Sequence, residues 1–529
     1  MQISPRRGLE ATATPELCVV PYQPAPRIGR LRFFLTTLGL LSVYFCVYGS
    51  RIELSGDQTA PVVAAESMLR EGAYKVSLHE SYGPAVMVNI GSDLRQPLRW
   101  YPPGYSVALY ALAKLGLSLA GSALVLFYLA KLLWSLSWLA ACLAHHVPYP
   151  IAAGAVGFAL MLTYPSTTTE IFESTAIALL FLAVSKRLRE TASAGAASAS
   201  IAGGTFFRFP AVKLLGFYAL VEWARRPRLG TCFKVFLAAL PSLVVYFVCT
   251  RLVGGESTPY HGVGPGRQTR WLLLLKGVYY AVTGGWSPSN APLRVIAVAM
   301  VLMAMAGLAR LAWKGALPRW IVLLAGFQAY YMVFLIITQI FFGSMYAYTQ
   351  PAFATARFYS LTQPLSVAAL YVLASFSLPA WNPALRRVLA GLLFVCMVDW
   401  TVKNHSIMGG MTQGPDGFLR FADLAAVHRL LSSEHLDGIF DGTGVLVYTA
   451  ADPRIIYPDN VRGLRSLYDT HIAVVRFAGP VNDLLEALEK RIAPYQVKQF
   501  DRFEVDLFAL PRGFEMQLTT PRRGFVPHV

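Results

Sequence analysis

The sequence predicts a polytopic α-helical membrane protein with a small α/β domain at its carboxy-terminal end. Three observations lead there. Of 529 residues, 55% are hydrophobic and only 14% charged, whereas soluble chains carry about 25% charged residues. Apolar runs recur from residue 33 to residue 402, many of them close to the roughly 20 residues that a straight span needs. The formal charge of +17 is unevenly spread: residues 104–402 hold 22 Lys/Arg against 6 Asp/Glu, while residues 403–529 hold 14 against 15. The last quarter therefore reads as a balanced soluble domain, and the positive excess belongs to the apolar part.

The same numbers exclude several classes. Hydrophobicity and the absence of a short repeat rule out disorder, collagen and coiled coil. No basic stripe lies on a soluble segment, so nucleic acid is not an expected partner. The six cysteines (Cys18, Cys46, Cys142, Cys232, Cys249 and Cys396) sit in or beside apolar runs without a CxxC pair. That spacing predicts free thiols rather than a disulfide framework or a zinc site.

Arg6, Arg7, Arg27, Arg30 and Arg32 precede the first apolar run, 33–49, and no small-residue cleavage site follows closely. The positive-inside rule then makes residues 1–32 a cytoplasmic tail and the run an uncleaved first span. Further runs lie near 121–143, 150–165, 171–185, 195–207, 211–223, 232–250, 292–313, 319–342, 358–378 and 388–402. The basic connections at 186–190, 224–228, 314–319 and 386–387 all fall on the cytoplasmic side, provided that 105–119 does not cross and lies as an interfacial or re-entrant helix. This gives a membrane domain over 33–402 with about eleven spans, within a range of 11–13. The protein is expected to be multi-pass in the inner (plasma) membrane, with residues 403–529 forming an extracytoplasmic domain.

Two outer regions follow from that topology. The external loop 50–104 is too long to be structureless, and its Ala/Glu/Leu-rich stretch 60–71 predicts a helix ended by Gly72. In the carboxy-terminal domain, periodicity predicts helices near 418–433 and 482–492 and strands at 444–448, 471–477 and 502–510.

The outer side collects chemistry-bearing residues. Asp57 lies just beyond the first span, where it reads either as a helix N-cap ahead of Pro61 or as a functional carboxylate. Glu170 and Glu173 form the only acidic pair in the middle of the chain, and near a helix start they also complement the helix dipole. Arg208, Lys213, Arg251, Arg267, Arg270, Lys276, Arg294 and Arg357 fall at or near the same face. Against the positive-inside rule, this cationic set points to an anionic ligand such as a lipid-linked phosphate, although each residue alone could snorkel. His79 and Glu80 are further polar neighbours in the first loop. Trp100 to Tyr105, WYPPGY, form a rigid aromatic turn containing Tyr101 and Tyr105, suited to the headgroup zone.

Taken in order, these pieces resemble the GT-C superfamily of membrane glycosyltransferases. The resemblance runs from the first span through Asp57, Ala64-Ala65, Gly72 and Tyr74 to the aromatic-PPGY segment. It continues through the turn Pro165 to Glu173, Arg208-Phe209-Pro210 with the basic ARRPR, and Arg357-Phe358-Tyr359 with Pro364. It closes on Val445 to Tyr448, Pro453, Tyr457 and Arg462 to Leu467, so that it covers about 33–470. The sequence is similar in style to bacterial protein O-mannosyltransferases and lipid A aminoarabinose transferases. The resemblance implies a polyprenyl-phosphate sugar as donor, a lipid, glycan or protein as acceptor, and inversion at the anomeric carbon. It further implies Asp57 as general base, Arg357 and Arg208 on the donor phosphate, and Glu170, Glu173, His79, Glu80, Tyr101 and Tyr105 as residues that orient acceptor or sugar. A divalent cation would draw on Asp57 and Glu173, but Asp57-Gln58 is not an Asp-Glu pair and EIFE is not an Asp-rich turn, which weighs against metal assistance. Three other readings stand beside this one, among them a binding or scaffold protein in which the carboxy-terminal domain is the active part. A lipid-linked sugar transporter or flippase should show internal repeats, and none is visible. An O-antigen ligase or polymerase usually places its largest functional loop late in the chain.

Overall fold

The computed structural model describes residues 29–54, 56–72, 74, 76–77, 95–96, 102–161, 167–185, 190–208, 211, 213–225, 227, 229–252, 272–286, 291–342, 356–376, 384, 387–396, 398–399, 417–441, 446, 455–456, 471–477, 492–500 and 503–511. The apolar runs become helices: α1 (Arg30–Tyr48), α4 (Leu119–Ala144), α5 (Tyr149–Met161), α6 (Thr168–Ala183), α7 (Glu190–Phe207), α8 (Lys213–Arg225), α9 (Leu229–Leu252), α10 (Leu272–Thr283), α11 (Ala291–Trp313), α12 (Arg319–Phe342), α13 (Ala356–Tyr359), α14 (Gln363–Phe376) and α15 (Arg387–Cys396). Among the described residues, four helices are long and apolar enough to cross a membrane: α1, α4, α11 and α12. Helix α9 has 24 residues, but its apolar part is confined to Phe233–Val248. Helix α10 has no counterpart among the predicted runs, because Lys276 and the flanking polar residues break its 12-residue apolar stretch.

Between α1 and α4 lie two helices. The first, α2 (Gly56–Glu71), begins four residues before the predicted 60–71 and ends just before Gly72, as expected. Asp57 is thus the second residue of α2 and not the residue ahead of it. Helix α3 (Gly104–Lys114) has only 11 residues, about 16 Å of helix, which is half of what a straight crossing requires. Ser106 donates to the Pro61 carbonyl at 2.8 Å, so α3 satisfies a carbonyl of the proline-containing helix it packs against.

The carboxy-terminal segment is tied to this layer by a short strand. β1 (Arg51–Leu54), directly after α1, pairs antiparallel with β4 (Gly417–Arg420), with Ile52 opposite Leu419. The predicted helix over 418–433 therefore begins as a strand, and its helical part is α16 (Phe421–Ser433). Backbone pairing with a segment more than 350 residues away in the chain overrides the local pattern there. A second small ladder joins β2 (Val76–Ser77) to β3 (Arg95–Gln96).

The carboxy-terminal sheet has five strands in the order β6-β5-β7-β9-β8: β5 (Gly438–Asp441), β6 (Ile455–Ile456), β7 (His471–Phe477), β8 (Gln496–Gln499) and β9 (Phe503–Ala509). β5 is parallel to β6 and β7, whereas β9 is antiparallel to β7 and β8. Strand β7 falls where predicted and β9 within a residue of it. The strand predicted at 444–448 and the helix predicted at 482–492 lie outside the described residues, apart from the buried Leu446.

Two hydrophobic cores result. The larger is built around Trp134, Trp138, Phe181, Phe217, Phe327 and Tyr331 inside the helical bundle. The smaller joins Val62–Ala65 of α2 and Tyr105 and Leu109 of α3 to Leu424 and Val427 of α16 and to sheet residues Ala473, Val475, Val505 and Leu507. The first loop and the carboxy-terminal domain are one packed body, on the side where α1 ends. Helix α4 bridges the two cores, with Leu119 to Leu126 in the smaller and Phe127 onward in the larger.

The two bodies also touch where α3 meets the end of α7. A Cβ on Gly104 would fall on the Phe206 carbonyl and its ring, so only glycine permits this approach. Gly104→Ala is expected to lower stability by about 1–3 kcal/mol through overpacking. Thermal unfolding of the detergent-solubilised protein checks it, and an unchanged midpoint would contradict the close contact.

Candidate functional site

The amino-terminal end of α6 supplies the acidic residues. Thr167 caps the helix by accepting from the Glu170 amide at 3.1 Å, and the Glu170 carboxylate reaches back to the Thr167 amide, completing a capping box. Glu173 follows one turn later. Both carboxylates are only 2% exposed, so each requires compensation by cations and hydrogen bonds.

Three cations from three other segments provide it. Arg208, at the residue after α7, places Nη1 3.2 Å from Glu170 Oε1 and Nε 3.0 Å from Glu173 Oε2. Lys213, the first residue of α8, puts Nζ 2.7 Å from Glu173 Oε1. Arg357 of α13 donates from Nε to Glu170 Oε1, the oxygen that Arg208 also uses. The two guanidiniums thus meet on one carboxylate oxygen. Lys213 is buried, whereas the side chains of Arg208 and Arg357 keep 17% and 19% exposure.

The support around this cluster is specific. Ser174, next to Glu173, accepts from Trp134 Nε1 at 2.8 Å and Trp138 Nε1 at 3.0 Å, and its hydroxyl donates to the Leu361 carbonyl at 2.6 Å. One hydroxyl therefore fixes α4, α6 and the 3-10 turn Ser360–Thr362 that follows α13. Phe172 stacks on Phe207 with ring centroids 4.0 Å apart, which presses α6 against the end of α7 beside Arg208. The Arg357 segment leans on a turn after α10: Gly285 has φ +78°, and a Cβ there would meet the Ala356 carbonyl. Gln328 of α12 donates to Thr362 and, at 3.4 Å, to Ser366.

The predicted site residues divide as follows. Arg208, Arg357, Glu170 and Glu173 come together. The carboxylates expected to orient a sugar or acceptor are here the anchors of the cations. Tyr105 is fully buried in the smaller core with residues of α2 and α3. Asp57 lies in the first turn of α2. His79, Glu80 and Tyr101 lie outside the described residues. Lys213 and Tyr331 were not singled out by sequence reasoning, although an ionisable side chain inside an apolar run was itself a signal. Of the two carboxylates expected to draw on a divalent cation, Glu173 has Oε1 on Lys213 and Oε2 on Arg208. No three His, Cys, Asp or Glu side chains gather among the described residues. Cys46, Cys142 and Cys396 are free thiols.

The architecture is that of a helical membrane protein with a buried ion cluster inside its helical bundle. No protein-family model and no curated protein matches the chain. Among solved structures it is similar to ArnT from Cupriavidus metallidurans bound to undecaprenyl phosphate, at 12% identity and a TM-score of 0.49, over 89% of this chain and 97% of that one. The same protein in the apo state gives 13% identity and a TM-score of 0.48. It is also similar to the arabinofuranosyltransferase AftD from mycobacteria, at 13% identity and a TM-score of 0.49, over 84% of this chain and 35% of that one. Likeness at this level carries no residue correspondence, so what the cluster does follows from its own chemistry.

Ser174→Ala would leave two buried indole N–H groups and one carbonyl without this partner, at about 1–3 kcal/mol per orphaned group. A fall in the thermal midpoint with residual helicity intact is the expected outcome. A wild-type midpoint would show that the hydroxyl is not the junction.

Proposed function

We propose that this chain is a membrane glycosyltransferase that moves a sugar from a polyprenyl-phosphate donor to an acceptor at the outer face of the membrane. The observation that carries the reading is the convergence of Arg208 and Arg357, partly exposed, on one buried carboxylate. Guanidiniums held side by side are suited to the oxygens of a phosphate. Their fixed position lets them meet the charge that develops on a phosphate leaving group without reorganisation. The ordered GT-C-like motifs, which include both arginines, support the same reading.

The reaction is a single displacement. An acceptor hydroxyl or amine forms a bond to the anomeric carbon as the bond from that carbon to the phosphate oxygen breaks. The electron pair leaves with the polyprenyl phosphate, between Arg208 and Arg357. The acceptor proton goes to Asp57 as general base, and displacement from the opposite face inverts the anomeric centre. Support for Asp57 comes from its place in the first turn of α2: α2 packs on α3, and α3 abuts the end of α7 one residue before Phe207-Arg208. Glu170 and Glu173 hold the cations in place. The pairing of β1 with β4 supports a topology in which the loop after α1 and the carboxy-terminal domain share the outer side, with the amino terminus in the cytoplasm. The acceptor is a lipid, glycan or protein.

The test uses the full chain in vesicles with a radiolabelled polyprenyl-phosphate sugar. Wild type is expected to release polyprenyl phosphate and pass label to an acceptor; flipping of intact donor without release would favour a transporter. Asp57→Ala should lower turnover by about 100-fold or more while the protein still inserts, and full activity in this variant would remove the base role. Arg357→Ala should raise the donor KM more than the acceptor KM, and equal donor affinity in both proteins would remove the phosphate contact.

A further inference from the structure

We infer that Lys213 is a positioning residue, which with Tyr331 locks Glu173 so that Arg208 presents its guanidinium to the donor phosphate. The inference rests on the proposed transfer reaction and adds a residue that the motif resemblance does not assign. Lys213 is 6% exposed at the first turn of an apolar helix, a place where an ammonium is costly without a purpose. Its Nζ lies 2.7 Å from Glu173 Oε1 and donates to the Tyr331 hydroxyl at 2.9 Å. The same ammonium stands 4.1 Å from the Tyr331 ring centroid and 5.9 Å from that of Phe334. The neighbouring Tyr330 donates to the Lys213 main-chain carbonyl at 2.7 Å. Two consecutive tyrosines of α12 therefore fix Lys213 at both its backbone and its side chain.

The consequence falls on Arg208. A carboxylate free to turn could offer either oxygen to the arginine. With Oε1 taken by Lys213, only Oε2 faces Arg208, and it receives Nε. Because Nε is held there and Nη1 lies on Glu170, the orientation of the guanidinium plane is set by two fixed carboxylates. Lys213 itself is buried behind Glu173 and does not meet the phosphate. Its effect on the donor is exerted through Glu173 and Arg208.

The experiment compares wild type, Lys213→Met, Lys213→Arg and the double variant Lys213→Met with Glu173→Gln. Each is prepared as the full chain in detergent or vesicles and checked for folding by thermal unfolding. Donor KM, kcat and equilibrium binding of polyprenyl phosphate are measured. Lys213→Met should raise the donor KM and the polyprenyl phosphate Kd by about tenfold or more while changing kcat by less. Lys213→Arg should restore most of that loss. Because Lys213 acts only through Glu173, the double variant should bind as poorly as Lys213→Met and no worse. A folded Lys213→Met protein with wild-type donor KM would overturn the inference. So would a folded double variant that binds clearly worse than Lys213→Met, since additive losses belong to a lysine that meets the phosphate independently of Glu173. Wild type that neither binds polyprenyl phosphate nor transfers sugar would instead contradict the proposed function, so the two failures are distinguishable.

Discussion

Burying a carboxylate inside a helical bundle costs several kcal/mol unless cations and hydrogen bonds compensate, and α6 buries two of them one turn apart. Meeting that requirement draws in the end of α7, the start of α8 and the short α13, each bringing one cation to Glu170 or Glu173. The opposite end of α6 is tethered as well. His145 holds the Phe181 carbonyl at 2.8 Å, while Ser193 and Arg225 donate to the carbonyls of Ala183 and Val184. Helix α6 is thus fixed at both ends by side chains from its neighbours. Removing one partner of such a pair strands the other charge, at about 3–5 kcal/mol. The cluster is for this reason both a site and a structural joint.

The outer layer depends on the same joint in a less direct way. Helix α4 runs through both cores, and its Trp134 and Trp138 meet α6 at Ser174. Through Gly104 against Phe206, α3 sets the distance between the layer that holds Asp57 and the arginine after α7. The start of α2 and the charges at the end of α7 are thereby held in a defined relation, as the proposed transfer between two substrates would require.

How much of this could be read in advance varies with the range of the interactions. Most of the apolar helices were legible, because hydrophobic runs are local, and so were β7 and β9, from their alternation. The convergence of Arg208, Arg357, Glu170 and Glu173 was partly legible: the glutamates stood out as an acidic pair and the arginines as cations against the positive-inside rule. Which carboxylate serves which cation was not, since that depends on contacts between α6, α8 and α13 that no window of sequence contains. The pairing of β1 with β4 was hidden for the same reason, and there a strand replaces the first turn of a predicted helix. The burial of Tyr105 was not legible, because an aromatic residue beside PPGY suits an interface as well as a core. Lys213 was visible only as one cation of eight; its burial between Glu173 and Tyr331 singles it out.

The central claim is that Arg208 and Arg357 act as one clamp on a donor phosphate. A double-mutant cycle on polyprenyl phosphate affinity tests it most directly, with Arg208→Gln, Arg357→Gln and the two combined in the full chain. The clamp predicts that each single change weakens binding strongly and that the combination costs clearly less than the sum, with a coupling of about 1 kcal/mol or more. Strictly additive effects, or affinity unchanged in either single variant, would contradict it.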